Sequence, residues 1–201
     1  MIIGLEGVSC VGKTTLARAL ARRLDAHVVP CYYHAAPDPA QLPPPDSETA
    51  EAQLAALTVL LPVEALRREA ALAAAGRGQV VILDRTVDTL LAHAHAVGRL
   101  HGYDCDAAAR ALILAHPIVV PDLTLLLHAC DGERSRRAAR RVNMPPLFYD
   151  STFAGYFTEH FSDPLVPQLV PVATDAGPDA VADQAAAIVR QHRATRMGAA
   201  A

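Results

Sequence analysis

The sequence predicts an α/β fold of three layers, in which helices cover both faces of a mostly parallel sheet of about five strands. Apolar runs with the length of buried parallel strands recur at 2–6, 27–31, 80–83, 123–127 and about 169–173. Segments long enough for helices separate these runs. A glycine-rich loop between the first strand and the first helix favours the same architecture, because sheets of this class bind ligands at the carboxyl ends of their strands.

Helices are predicted at 13–24, from about 48 to 75, and at 86–100, 105–115, 131–142 and 178–193. Leu16, Leu20 and Leu24 give the first helix an apolar face, since they recur every fourth residue. The proline-rich run 37–46 is expected to be a loop, because proline suits neither the interior of a helix nor a central strand. We expect one domain over 1–193 and a frayed tail over 194–201.

Composition limits the classes of function. The formal charge is only −3, and the basic residues are dispersed except for one cluster, so no nucleic-acid partner is expected. The cysteines at 10, 31, 105 and 130 form no C-x-x-C pair, which indicates free thiols in a reducing compartment. No apolar run is long enough to cross a membrane, and the loop at Gly7 leaves no room for a signal peptide before it. We therefore expect a soluble, cytoplasmic protein.

The loop has the pattern Gly7-x-x-x-x-Gly12-Lys13-Thr14, which is typical of a phosphate-binding loop between a strand and a helix. Its glycines let consecutive backbone N–H groups point at phosphate oxygens, and the helix dipole adds positive potential there. Lys13, the only lysine of the chain, is expected to reach the β and γ phosphates, and Thr14 to bind Mg²⁺. The residues expected to surround the nucleotide phosphates are Gly7, Cys10, Val11, Gly12, Lys13, Thr14 and Thr15.

A carboxylate and a guanidinium follow the third apolar run, in the segment VVILDRT at 80–86. Asp84 is expected beside the phosphate loop, where it would bind Mg²⁺ directly or through water, or accept a proton from an attacking hydroxyl. Arg85 is expected to bind phosphates. The alternative interpretation is an ion pair that only caps the strand.

Five arginines fall within nine positions in ERSRRAARR, residues 133–141. On a helix, Arg134, Arg137 and Arg141 would share one face, and Arg136 and Arg140 another. One row is expected to fold over a bound triphosphate as a lid spanning about 131–148, because guanidinium groups stabilise the charge on a transferring phosphoryl group. The alternative interpretation is a solvated surface.

The chain resembles the thymidylate kinase-like branch of the P-loop nucleoside and nucleotide kinases. The resemblance lies in the segments LEGVSCVGKTTL, VILDRTVDTLLAHA and PDLTLLL and in the arginine cluster. The resemblance implies a P-loop kinase fold with a five-stranded parallel sheet and an arginine-bearing lid. It implies ATP with Mg²⁺ as the phosphoryl donor, and a homodimer as a candidate assembly. It gives catalytic roles to Lys13, Asp84, Arg85, Arg137 and Arg141, and a role in holding ATP to Arg134.

The resemblance also points to positions that face the phosphoryl acceptor. Ser9 occupies the position where thymidylate kinases usually have an aspartate, and His93 aligns with their substrate-facing tyrosine. Arg67 lies one turn after the position of the arginine that normally holds the acceptor phosphate, and Arg85 is expected to face the acceptor as well. Tyr33, after the second strand, is a further candidate contact.

Three functions remain open from these residues. The first is an ATP-dependent kinase acting on a nucleoside or a nucleoside monophosphate. The second is a kinase that phosphorylates a hydroxyl of a non-nucleotide natural product, in antibiotic biosynthesis or self-resistance. The third is an ATP-binding sensor without kinase activity, against which the arginine cluster argues.

Overall fold

A single parallel sheet of five strands organises the protein. The computed structural model describes residues 1–142 and 144–199. The strands are β1 (Ile2–Glu6), β2 (His27–Val29), β3 (Val81–Asp84), β4 (Leu123–His128) and β5 (Leu169–Ala173). They pair in the order β2-β3-β1-β4-β5, and every pairing is parallel. The predicted five-stranded parallel sheet is confirmed.

The helices lie in the segments between the strands and after the last of them. They are α1 (Lys13–Leu24), α2 (Tyr32–Ala35), α3 (Ala50–Gly76), α4 (Asp88–His101), α5 (Asp106–Leu114), α6 (Asp131–Ala138), α7 (Ser151–Glu159) and α8 (Pro178–Ala199). Short 3-10 turns occur at Pro39–Gln41, Pro146–Tyr149 and His160–Ser162. None of the helices in the described part of the chain combines the length and the apolar character that a membrane span requires.

Helices cover both faces of the sheet, and alternate strand residues divide between the two cores. On one face, α1 and α8 pack against β1 and β4 through side chains such as Leu20, Ala185, Leu5 and Leu125. On the other face, α3 contacts β2 and β3, while α4 packs against α5 and α7. The fold therefore has the three layers that the sequence predicts.

Several predicted boundaries differ from the structure, three of them near the site or at the tail. β2 ends at Val29 rather than at residue 31, because Pro30 has no N–H to donate to a ladder. The helix predicted at 131–142 ends at Ala138, because a tighter turn follows in which the N–H groups of Arg140 and Arg141 donate to the carbonyls of Arg137 and Ala138. The tail predicted over 194–201 is helical as far as Ala199.

Some predicted residues lie outside the described part of the chain. Residue 143 of the predicted lid and residues 200 and 201 of the predicted tail belong to this group.

Candidate active site

The phosphate loop follows β1 and turns the chain into α1. Gly7 and Gly12 adopt left-handed conformations, with φ of 127° and 102°. A Cβ atom at Gly7 would lie 2.3 Å from the carbonyl oxygen of Leu127 in β4, so a larger residue does not fit there. Because Gly12 directly precedes α1, the free N–H groups of the first helical turn open into the loop. The loop therefore has the shape and the donors to hold phosphate.

The ammonium of Lys13 lies beneath this loop. Its side chain is buried, and Nζ donates to the carbonyl oxygens of Gly7 and Val8, both at 2.6 Å. Burial, together with the nearby charge of Arg85, lowers the pKa of Lys13 to about 7, against the opposite effect of the Glu6 and Asp84 carboxylates. An ammonium has three donors, so one remains for a ligand. This geometry explains why a compact ammonium, rather than a guanidinium, stands at position 13.

A hydroxyl and a carboxylate meet where β3 ends beside the loop. Thr14 Oγ1 donates to Asp84 Oδ2 at 2.7 Å, and Asp84 is buried. Oxygen atoms of this kind are the ligands that Mg²⁺ prefers, and the ion usually completes its shell with water and phosphate. Within the described residues, no three His, Cys, Asp or Glu side chains form a metal-binding group. Thr14 and Asp84 thus supply two oxygen atoms of the kind that Mg²⁺ takes as ligands.

Arg85 follows Asp84 in an unusual backbone conformation. Its φ is 78°, in the left-handed region that residues other than glycine seldom adopt. Its side chain is half-buried, and Nη1 donates to Thr89 Oγ1 at 3.2 Å. Its charge contributes to lowering the pKa of Lys13. Strained residues concentrate at functional sites, which agrees with a phosphate-binding role for Arg85.

Arg137 joins the arginine cluster to the rest of the site. Its Nε donates to Glu133 Oε1 at 2.7 Å, Nη1 to the Val11 carbonyl at 3.0 Å and Nη2 to the Thr174 carbonyl at 2.5 Å. Its guanidinium also lies 3.5 Å from the position that a Cβ atom of Gly12 would take. Arg137 therefore connects α6, the phosphate loop and the loop after β5.

The other arginines of the cluster have different surroundings. Arg134 Nη2 lies 3.8 Å from Asp131 Oδ1, and Arg136 forms a two-pronged hydrogen bond with Glu133. Arg140 and Arg141 are exposed and follow the end of α6, so the shared helical face expected for Arg134, Arg137 and Arg141 is wrong for Arg141. Arg141 nevertheless lines the cleft beside the phosphate loop, and its charge contributes to lowering the pKa of Lys13.

A cleft of about 510 Å³ opens between the phosphate loop and α6. Its lining includes Cys10, Val11, Gly12, Thr15, Arg137, Arg140, Arg141 and residues 174–178. Thr174 is buried, and its hydroxyl donates to the Val11 carbonyl at 2.8 Å. Asp175 Oδ1 accepts from Cys130 N at 2.8 Å, a bond that lowers the pKa of Asp175. The phosphate loop forms one wall of the cleft, and the loop after β5 forms another.

Sequence reasoning missed the segment 174–178, which forms this second wall. The segment reads TDAGP and follows β5 directly. Turn residues immediately after the carboxyl end of a parallel strand are the signal that points to it.

Three residues predicted to face the acceptor lie on separate elements. Ser9 is half-buried within the phosphate loop, and Tyr33 lies on α2 with 59% of its surface exposed. His93 is half-buried on α4, with ring centroids 5.6 Å from Phe153 and 6.2 Å from Phe148. Burial lowers the pKa of His93 to about 4, so the imidazole is neutral near pH 7 and forms one wall of an aromatic cluster.

Arg67 does not face a ligand site. The residue is buried, with 1% of its surface exposed, and its guanidinium lies over the ring of Tyr32. Nε donates to the Pro30 carbonyl at 2.9 Å, Nη1 to Glu64 Oε2 at 2.8 Å and Nη2 to the Arg85 carbonyl at 2.5 Å. The structure therefore contradicts the expected contact between Arg67 and the acceptor. Its guanidinium instead ties α3 to the carboxyl ends of β2 and β3.

Two buried polar residues near the strand ends also escaped sequence reasoning. Glu6 is the last residue of β1 and has 0% exposure. The sequence signal for it was a charged residue at the end of an apolar strand. Gln53 lies on the buried face of α3 with 2% exposure. Its Oε1 has no hydrogen-bond partner among the described residues. A polar residue four positions before the buried Leu57 was the signal there.

Replacing Arg67 by methionine should lower the free energy of unfolding by about 3 to 5 kcal/mol, because the change leaves Glu64 charged and unpaired in the core. Urea unfolding monitored by circular dichroism measures this loss. Arg68→Met is the matched control, since that neighbouring side chain is only half-buried, and we expect a change within about 0.5 kcal/mol. Equal stability of the two variants would contradict the buried network.

The low pKa of His93 predicts a sensitivity to acid. Between its ordinary pKa of 6.5 and about 4, the unfolded chain binds a proton at this residue and the native state does not. Stability therefore falls as the pH falls, by up to about 1.4 kcal/mol per pH unit from this group alone. Asp46 acts against this shift, and Arg85 acts with it.

His93→Gln should remove this part of the acid sensitivity, and His34→Gln, at an exposed site, should keep it. Urea unfolding at about pH 5 and about pH 7 compares the variants. An imidazole signal of His93 that titrates near its ordinary pKa in NMR spectra would show that the assignment is wrong.

Comparisons with known proteins agree with this geometry. A family described as an AAA domain matches residues 2–153. No curated protein matches the chain. Among solved structures, deoxyadenosine kinase from M. mycoides with bound dATP is similar with a TM-score of 0.69 and 14% identity, and the alignment covers 94% of this chain and 100% of that chain.

Two thymidylate kinases are similar as well. For the enzyme from Candida albicans, the TM-score is 0.61 and the identity 18%, with 96% of this chain and 92% of that chain covered. For the enzyme from Ehrlichia chaffeensis, the TM-score is 0.56 and the identity 18%, with 94% and 98% covered. The thymidylate kinase-like fold that the sequence implies is thus confirmed. The chain belongs to the AAA domain family, and it has the P-loop fold of these nucleoside and nucleotide kinases.

Proposed function

We propose that the protein is an ATP-dependent kinase that transfers the γ-phosphoryl group to a nucleoside or a nucleoside monophosphate. One observation carries the proposal. The buried Lys13 ammonium, the pair of Thr14 and Asp84, and the strained Arg85 meet at one edge of the sheet. A cleft lined with arginines adjoins the same phosphate loop. Phosphoryl transfer depends mainly on positioning and on stabilising charge, and these groups supply both.

In this proposal, the cleft between the phosphate loop and α6 holds ATP. The loop N–H groups and Lys13 bind the β and γ phosphates, since Lys13 keeps one donor free. The loop 174–178 lines the same cleft and would form the wall for the base. Thr14 and Asp84 would hold Mg²⁺, which would offset the charge of the phosphates.

Arginine side chains neutralise the transferring group. Arg85 directly follows Asp84 at the end of β3, and Arg141 lines the cleft beside the phosphate loop. Arg137 already uses its donors on the Val11 and Thr174 carbonyls and on Glu133. It would therefore hold the lid against the loop, and a shift of these bonds would bring it to the phosphates. Arg134 is a further ligand for ATP in this scheme.

The aromatic cluster of His93, Phe148 and Phe153 supports a planar acceptor, because flat rings pack well in stacked or edge-on contacts. Ser9 and Tyr33 would contact the acceptor at the loop and at α2. The structural neighbours named above as deoxyadenosine and thymidylate kinases support a nucleoside or nucleotide. An acceptor phosphate needs no general base, since it attacks as an anion, whereas a hydroxyl would rely on Asp84.

A second candidate is a kinase for a hydroxyl of a non-nucleotide natural product. The burial of Arg67 favours it, because the guanidinium expected to hold an acceptor phosphate is bound to protein carbonyls instead.

The test is ATP consumption by the purified protein with Mg²⁺ against nucleosides, nucleoside monophosphates and hydroxylated natural products, with product masses recorded. We expect one added phosphate on a nucleoside or nucleotide. Lys13→Ala should lower the transfer rate by about 100-fold or more, because it removes a cation at the transferring group. Arg22→Ala, at an exposed position on the same helix, is the control and should leave the rate within about twofold.

Phosphorylation of natural products alone would establish the second candidate. Transfer by Lys13→Ala at nearly the wild-type rate, or no product from any class, would contradict the proposed kinase.

A further inference from the structure

A buried carboxylate beneath the phosphate loop has no part in the mechanism above. Glu6 ends β1, immediately before Gly7, and its side chain is inaccessible to solvent. Removing an ionised carboxylate from water is costly unless hydrogen bonds and opposite charges compensate. The partners of Glu6 therefore indicate what the residue does.

All three side-chain bonds of Glu6 come from the segment that follows β3. Oε1 accepts from Thr86 N at 2.6 Å and from Thr86 Oγ1 at 2.8 Å. Oε2 accepts from Thr89 Oγ1 at 2.6 Å. β1 and β3 are neighbours in the sheet, with Leu5 opposite Asp84. Glu6 thus fastens the turn after β3, and the first turn of α4, to the adjacent strand.

Arg85 lies within the segment that Glu6 holds. Both its backbone and its guanidinium are connected to Glu6. The N–H that Glu6 binds belongs to Thr86, in the peptide unit directly after Arg85. This bond restrains the left-handed backbone of Arg85. The Thr89 hydroxyl that donates to Glu6 also accepts from Arg85 Nη1 at 3.2 Å. A hydroxyl accepts and donates at once, so Thr89 relays the connection to the guanidinium.

The charges in this region favour the same arrangement. Burial raises the pKa of Glu6, and the charge of Arg85 opposes that rise. The charge of Glu6 in turn raises the pKa of Lys13, against burial. The carboxylate of Glu6 thus acts on the cations of both Arg85 and Lys13, and Asp84 also acts on Lys13.

We propose that Glu6 is a positioning residue for Arg85, acting through Thr86 and Thr89, so that the guanidinium is aimed at the phosphate site before any ligand binds. The consequence for phosphoryl transfer rests on the proposed function. The orientation of the guanidinium does not depend on that function, and it can be measured without a substrate.

Thr89→Val tests the relay, since it removes the hydroxyl and keeps the shape of the side chain. Thr89→Ser restores the hydroxyl. Thr58→Val makes the same change on α3, where the Thr58 hydroxyl bonds to the Leu54 carbonyl at an exposed site. Glu6→Gln removes the charge at the other end of the relay, and the threonine variants keep the test intact even when Glu6→Gln does not fold.

The first measurement is the Nη1–H signal of Arg85 in ¹⁵N NMR spectra of the protein without ligand, since Nη1 is the donor to Thr89, and the signal is assigned by its loss in Arg85→Lys. We expect a signal protected from solvent exchange in wild type, Thr89→Ser and Thr58→Val, and loss of that protection in Thr89→Val and Glu6→Gln. Protection that survives in Thr89→Val overturns the proposal.

The second measurement is steady-state transfer to the acceptor found by the panel, together with binding of Mg²⁺·ADP. We expect Thr89→Val to lower kcat about tenfold, since misaiming a catalytic group costs rate, with ADP affinity within about twofold of wild type. In an Arg85→Lys background, Thr89→Val should cost little more, because both changes remove one interaction. Equal kcat in Thr89→Val and Thr58→Val overturns the proposal. Absence of transfer in wild type refutes the proposed function only, and the NMR result then decides the positioning of Arg85.

Discussion

The buried ammonium of Lys13 is the interaction on which the rest of the site depends. A cation within the protein needs oxygen atoms around it, and the Gly7 and Val8 carbonyls provide two at 2.6 Å. The loop brings these carbonyls to the ammonium only if it curls tightly, with Gly7 in a left-handed conformation against the Leu127 carbonyl. Position 7 therefore requires glycine. The remaining donor of the ammonium and the N–H groups of α1 are left to face a ligand.

The need of buried polar groups for hydrogen-bond partners also explains the positions of the arginines. Parallel strands end at one edge of the sheet, so unpaired carbonyls gather there. Arg67 binds those at the ends of β2 and β3, and Arg137 binds those of the phosphate loop and of the loop after β5. A guanidinium has five donors in a fixed plane, which suits several carbonyls at once. Part of the arginine content thus holds the site in shape, while Arg85 and Arg141 remain on the phosphate side.

Local patterns were sufficient to predict β1, the phosphate loop and α1, because the glycine spacing and the leucine repeat lie within 24 residues. The sheet followed from the apolar runs. The role of Arg67 was not predictable in this way, since its partners Pro30 and Arg85 are distant in sequence and meet it only in the folded protein. The loop 174–178 lacks a motif, and its importance came from its contact with Val11. The early end of α6 separated Arg141 from the face that a longer helix would give it.

The most direct test of the account is a crystal structure with Mg²⁺ and a non-hydrolysable ATP analogue. We predict that the phosphates lie on the loop between Lys13 and α6. We also predict that Mg²⁺ lies between Thr14 and Asp84, in place of the hydrogen bond that now joins them. A structure in which the analogue binds elsewhere, or in which that hydrogen bond persists with the nucleotide bound and no metal beside it, would contradict the account.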